Sequence, residues 1–230
     1  MVGSLEPTPE RPGGAALGLT IPYDVYPWIY TLKISLTLAA MWFVSAGYRA
    51  FPLKATPLAV VIGAVGVVIW VGLCRLQLEQ RLLGSIGLAG FLEAGARSAY
   101  NPFEHLAGHS VGSWGFLVVR LAGLVVVVPV IEEFFLRGFA MRFAVAAEWW
   151  EVPFGKVNKA AVLVGVAVPM LMHPAELLAA AAWFSLVTWL MVKTRSIWDC
   201  VVAHAVTNLL LGLYVIGGHL LFGQDHWHLL

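Results

Sequence analysis

Apolar positions in this chain fall into long runs, separated by short stretches that gather most of the charge. A helix needs about 20 predominantly apolar residues to cross the hydrocarbon core of a bilayer. On that measure the pattern predicts spans over residues 26–47, 58–74, 114–131, a further helix ending near Ala147, 160–172, 175–192 and 197–217. The expected fold is all-α: a multi-pass transmembrane helical bundle of about seven spans, with six to eight as the range. Lys33 lies inside the first run and can snorkel to an interface. Gly63 and Gly66 sit among valines and alanines in the second, a composition suited to close helix contact.

Between the runs the character changes. Residues 1–24 are rich in Pro and Gly and contain Glu6, Glu10 and Arg11. No apolar segment follows a basic start, so this reads as a flexible tail and not a signal peptide. Residues 75–113 mix charge with leucine at near-helical spacing, broken by glycines and by Asn101-Pro102, which suits an amphipathic segment on the membrane surface. The expected organisation is a tail at 1–24, N-terminal spans with the surface segment at 25–113, a helical core at 114–217 and a C-terminal tail at 218–230. No internal repeat is visible, and basic residues sit at too many loop ends to orient the chain by the positive-inside rule.

Composition agrees with this class: 60% of the 230 residues are hydrophobic and 12% charged, against about 25% charged in a soluble domain. The lipid bilayer is the first partner implied. The net charge of +1 gives no support for nucleic acid as a partner, which would need a basic face, and none is expected. Cys74 and Cys200 lie in or beside apolar runs and read as small buried side chains, not a disulfide framework.

The densest chemistry lies in residues 125–142, VVVVPVIEEFFLRGFAMR. A helix turns about 100° per residue, so Glu133 and Arg137 share a face and Glu132 points away from Arg137. Each isolated charge at the bilayer centre costs roughly 2.5–3.5 kcal/mol. Three unpaired charges would forfeit about 8–10 kcal/mol, comparable with a whole domain's stability of about 5–15 kcal/mol. A structural ion pair accounts for Glu133 and Arg137 but leaves Glu132 without a local partner. Pro129 lacks an N–H and is expected to free the Val125 carbonyl one turn before Glu132.

Two later places answer this stretch. In PMLMHPAE, Pro169 and Pro174 bracket His173, so its helix is expected to kink, end or restart there. In SIWDCVVAHAVTN, His204 and Asn208 are four apart and share a face. Read singly, His173 is an interfacial histidine and the His204–Asn208 pair is interhelical glue. Read together, a carboxylate, two imidazoles and an amide can activate a water and hold an oxyanion, which is what peptide hydrolysis inside a membrane needs. Glu132, His173 and His204 also form a known type of catalytic zinc set. Other hydrolase signatures are missing: there is no H-E-x-x-H, and Gly112-Ser113-Trp114-Gly115 is wrongly spaced for a serine motif and reads as loop.

The order of these elements resembles the CAAX prenyl protease and bacteriocin-processing (Rce/Abi-type) intramembrane proteases, marked by E-E-x-x-x-R, F-x-x-x-H and H-x-x-x-N. The first motif is complete in Glu132, Glu133 and Arg137, and the third in His204 and Asn208. The second departs: His173 is present, but Pro169 stands at the aromatic position. The core looks most like the bacterial CAAX protease-related branch associated with exosortase systems. The resemblance implies an endopeptidase of the inner cell membrane that acts near the C-terminus of a membrane-associated peptide or protein, prenylated substrates included. It implies Glu132 as general base, Glu133 with Arg137 as a tuning pair, and His173, His204 and Asn208 around the water and oxyanion. Arg120 and Asp199 are at most supporting residues. No cofactor is required on this reading; a divalent metal such as zinc, held by Glu132, His173 and His204, is the alternative. Two further readings keep the same residues: a non-catalytic scaffold or immunity-type binding protein, and a proton-coupled transporter, against which the missing repeat weighs. Cleavage of a peptide by wild type but not by Glu132→Gln separates them.

Overall fold

A computed structural model describes residues 21–87, 90, 99–106 and 109–230. Among these the chain is helical, with no strand. In order the helices are α1 (Tyr26–Phe43), α2 (Ser45–Arg49), α3 (Pro57–Leu76), α4 (Leu78–Ser85), α5 (Pro102–His105), α6 (Ser110–Phe143), α7 (Lys159–Met172), α8 (Leu177–Thr194) and α9 (Ile197–Phe222). Their starts follow capping chemistry: Pro57 opens α3, the Asn158 carboxamide accepts from Ala161 N–H, and the Ser196 hydroxyl accepts from Asp199 N–H. The expected tail up to residue 20 and much of the expected surface segment, at 88–89, 91–98 and 107–108, lie outside the described residues.

Among the described residues, four helices are long and apolar enough to cross a membrane: Pro57–Leu76, Ser110–Phe143, Pro174–Thr194 and Ile197–Phe222. The figure of about seven is not confirmed, and one reason is plain. The third and fourth expected spans are a single helix of 34 residues, and α7 has only 14. Pro129 does not break α6, because two stretches widen to π-helix, Gly123–Val127 and Phe134–Ala140. Val128 N–H reaches the Gly123 carbonyl, five residues back, which opens the turn where the proline ring would otherwise strike a carbonyl. Ser113, expected in a loop, is a buried residue of α6, its hydroxyl donating to the Pro102 carbonyl at 3.0 Å.

Close helix contact rests on glycine where the sequence suggested it. A methyl at Gly63 would come 2.6 Å from the Ala203 carbonyl oxygen, so only glycine lets α3 lie this close to α9. The loop before α3 is tied to the start of α9, where Asp199 accepts from Thr56 N–H at 2.6 Å and from its hydroxyl at 3.2 Å. On the far side α6 packs on α1 through Tyr26, Tyr30 and Phe116, with Tyr100 from the preceding loop. Arg120 is buried there and donates to the Tyr100 carbonyl at 3.2 Å. The outward face of α1 is apolar, with Trp28 76%, Trp42 83% and Phe43 88% exposed. The C-terminal residues are not a loose tail. After Phe222 the chain reverses at Gly223 (φ +63), and Trp227 packs fully buried against Phe103 and His219.

Candidate active site

The site is built outward from Glu133. Its carboxylate is fully buried, and one oxygen, Oε2, takes the Arg137 guanidinium one turn along α6, as the spacing predicts. Arg137 is fully buried too, and its Nη2 donates to the Phe184 carbonyl of α8 at 3.4 Å. The other oxygen, Oε1, lies 2.9 Å from His204 Nδ1 on α9. Glu133 therefore joins its own helix to a second one.

That contact orients the imidazole. A carboxylate oxygen accepts, so Nδ1 is the donor in this contact and Nε2 is turned to the other side of the ring. Nε2 faces Glu132 Oε2 at 4.0 Å. This exceeds the direct hydrogen-bond range of about 2.6–3.2 Å and suits two groups sharing one small polar molecule. Glu132 is 23% exposed, whereas its neighbour is fully buried. Two adjacent carboxylates thus differ in role: one is consumed by structure, the other stands at the edge of the site.

His173 ends α7, as its flanking prolines require. Its backbone N–H turns back to Met170, and its ring Nδ1 donates to the Pro169 carbonyl at 2.8 Å. The ring lies edge-on to Trp70 of α3 (centroids 5.6 Å apart) and against Phe184 of α8 (5.8 Å). Pro169 replaces the aromatic residue of the motif, and these two side chains from other helices supply aromatic neighbours instead. Phe184 also meets the His204 ring at 6.5 Å, which links the two imidazoles.

Asn208 donates from Nδ2 to the Leu124 carbonyl at 2.8 Å. The carbonyl expected to be freed by Pro129 was that of Val125; the π turn shifts it by one. In the register in which Val128 bonds Gly123, the Leu124 carbonyl would need an N–H from Pro129, which has none. Asn208 fills that vacancy and retains a second N–H. Arg120 and Asp199 are occupied at the Tyr100 carbonyl and at Thr56, not at Glu132.

Trp183 and Phe184 were not singled out from the sequence. Their only signal is an aromatic pair after four consecutive alanines in α8, which reads equally well as core. Among the described residues, no group of three or more His, Cys, Asp or Glu side chains is gathered closely enough to hold a metal ion. The set Glu132, His173 and His204 is therefore not assembled as a metal centre here.

The family model for type II CAAX prenyl endopeptidase Rce1-like proteins matches residues 114–210. Over those residues the chain is similar to an Rce1-like endopeptidase domain. The matched residues include Glu132, Glu133, Arg137, His173, His204 and Asn208. Comparison with curated proteins finds no match, and comparison with solved structures finds none. The similarity to an Rce1-like domain points to a protease of the CAAX type, set among membrane helices and acting on a peptide.

Proposed function

We propose that this protein is an intramembrane endopeptidase that hydrolyses a peptide bond near the C-terminus of a membrane-associated substrate, with Glu132 as general base. The observation that carries this reading is the placing of His204, held at Nδ1 by Glu133 at 2.9 Å while Nε2 looks across 4.0 Å to Glu132. A water bound between them loses a proton to Glu132 as its oxygen attacks the substrate carbonyl. The Asn208 N–H left over from Leu124 stabilises the oxyanion, and His173, whose Nε2 accepts, orients the water. Collapse breaks the C–N bond, and Glu132 returns its proton to the leaving amine, so one water is consumed per bond.

In this proposal Glu132 activates the water without a cofactor. The protein belongs in the inner cell membrane, in the exosortase-associated branch, and prenylated proteins are among its substrates. α1 and α7 join the four long helices to give six crossings, the lower end of the expected range.

The test is purified protein in lipid with peptides bearing an apolar C-terminal modification, products being identified by mass. Wild type should cut at one position near the C-terminus. Glu132→Gln should lose about 10²–10⁴-fold in rate, the usual worth of a general base. Cleavage by Glu132→Gln at close to the wild-type rate would overturn the assignment.

A further inference from the structure

His204 has one hydrogen bond to fix it, at Nδ1. A ring held at one corner can still swing, and its Nε2 would then leave the line to Glu132. A second constraint lies on its face. The Trp183 indole packs on the His204 ring with centroids 4.6 Å apart and planes at 65°, an edge-to-face arrangement. Trp183 is itself immobilised, for it is 2% exposed and its Nε1–H donates to the Thr207 hydroxyl at 3.0 Å. Thr207 lies one turn beyond His204 on α9, and its hydroxyl hydrogen goes to the Gly63 carbonyl (2.9 Å) or the Ala203 carbonyl (3.0 Å). The indole is thus braced against the helix that carries the imidazole it touches. α3 closes the arrangement, since a methyl on Gly66 would come 2.6 Å from Trp183 Nε1 and 2.9 Å from the Thr207 hydroxyl.

We propose that Trp183 is a positioning residue for the reaction, holding the His204 ring in the plane that aims Nε2 at Glu132, with Thr207 and Gly66 fixing the indole. This deepens the hydrolytic reading and rests on it for its kinetic consequence, but not for its structural one. An indole serves where phenylalanine cannot because the ring needs an N–H to be pinned in azimuth. Trp183 touches no reacting atom.

The experiment uses full-length protein in lipid and follows two signals. The first is the nitrogen NMR spectrum of histidine-labelled protein, with His204 assigned by substitution, which reports the Nδ1–H tautomer whether or not a substrate is known. The second is kcat against KM on a cleaved peptide. Trp183→Phe and Thr207→Val should each broaden or shift the His204 signals and lower kcat about 10–100-fold, the scale of a misplacement near 1 Å. KM should stay within about twofold. Gly66→Ala, which displaces the indole without altering its chemistry, should do the same, and Thr207→Ser should restore both signals. Unchanged His204 signals in Trp183→Phe, or a Thr207→Ser variant no better than Thr207→Val, would overturn the proposal. Wild-type protein that cuts no peptide while the His204 signals respond as described would remove the hydrolytic reading and leave the positioning intact.

Discussion

Replacing Glu133 by glutamine tests the division of labour between the two carboxylates. The glutamine oxygen can still accept from His204 Nδ1, but its NH₂ then faces the Arg137 guanidinium, donor against donor. Arg137 keeps only the Phe184 carbonyl at 3.4 Å, and its Nε already has no partner. Breaking a fully buried pair in this way costs about 3–5 kcal/mol. At roughly 2–4 °C per kcal/mol for a chain of this size, the apparent Tm should fall by roughly 6–20 °C. Glu132→Gln removes a carboxylate that is 23% exposed and does not hold the buried Arg137, so it should cost less than Glu133→Gln. Adding Arg137→Met to Glu133→Gln removes the stranded cation and should recover much of the loss. The assay is thermal unfolding followed by circular dichroism, all variants in one detergent. Equal melting points for the two glutamine variants would refute the reasoning, as would a double variant less stable than Glu133→Gln alone.

Other consequences follow from single contacts. Asn208→Ala leaves the Leu124 carbonyl without a donor and should cost about 1–3 kcal/mol; in a Pro129→Ala background, where an N–H is restored, a double-mutant cycle should show a smaller cost. Asp199→Ala should lower stability by about 1.5–3 kcal/mol through loss of both Thr56 contacts, read as a lower melting point and faster proteolysis of the loop before α3. The Tyr100 phenol, in the loop before α5, is pushed up to about 12 by burial, with Arg120 lowering it and Asp24 raising it. An unfolded tyrosine ionises near 10, so the folded state holds the extra proton between these values and stability should fall as pH rises from about 10 to 12. Tyr100→Phe should flatten that limb, and an ultraviolet titration should lose one tyrosine that ionises above the ordinary range.

The parts of this site that read directly from the sequence are those set within one helix. Glu133 with Arg137, and His204 with Asn208, follow from a four-residue interval, and the end of α7 at His173 follows from its flanking prolines. The parts that did not read are set between helices. Nothing in the interval from 133 to 204 says that Nδ1 meets Glu133 and not Glu132, because the relative rotation of α6 and α9 is decided by packing. The expected boundary between the third and fourth spans did not appear for a related reason. Charge and proline are both signs of a boundary, and both occur within α6, where the widened turn before Pro129 absorbs the proline and Arg137 on the same helix, with His204 on α9, takes up the Glu133 charge. Trp183 and Phe184 were hidden because an aromatic pair in an apolar helix has the same pattern whether it fills a core or frames an imidazole.

The intrahelical position of the Glu133–Arg137 pair also bears on how the chain enters the membrane. The two groups can meet as soon as that turn of α6 forms, before any neighbour has packed. A helix then partitions into lipid carrying a neutral couple instead of two ions, each of which would cost roughly 2.5–3.5 kcal/mol alone. His204 arrives on a helix made later in synthesis, 71 residues downstream, and finds Glu133 Oε1 already presented. On this order of events, moving the arginine to α9 would keep the charge balance of the finished site and still impair insertion of α6.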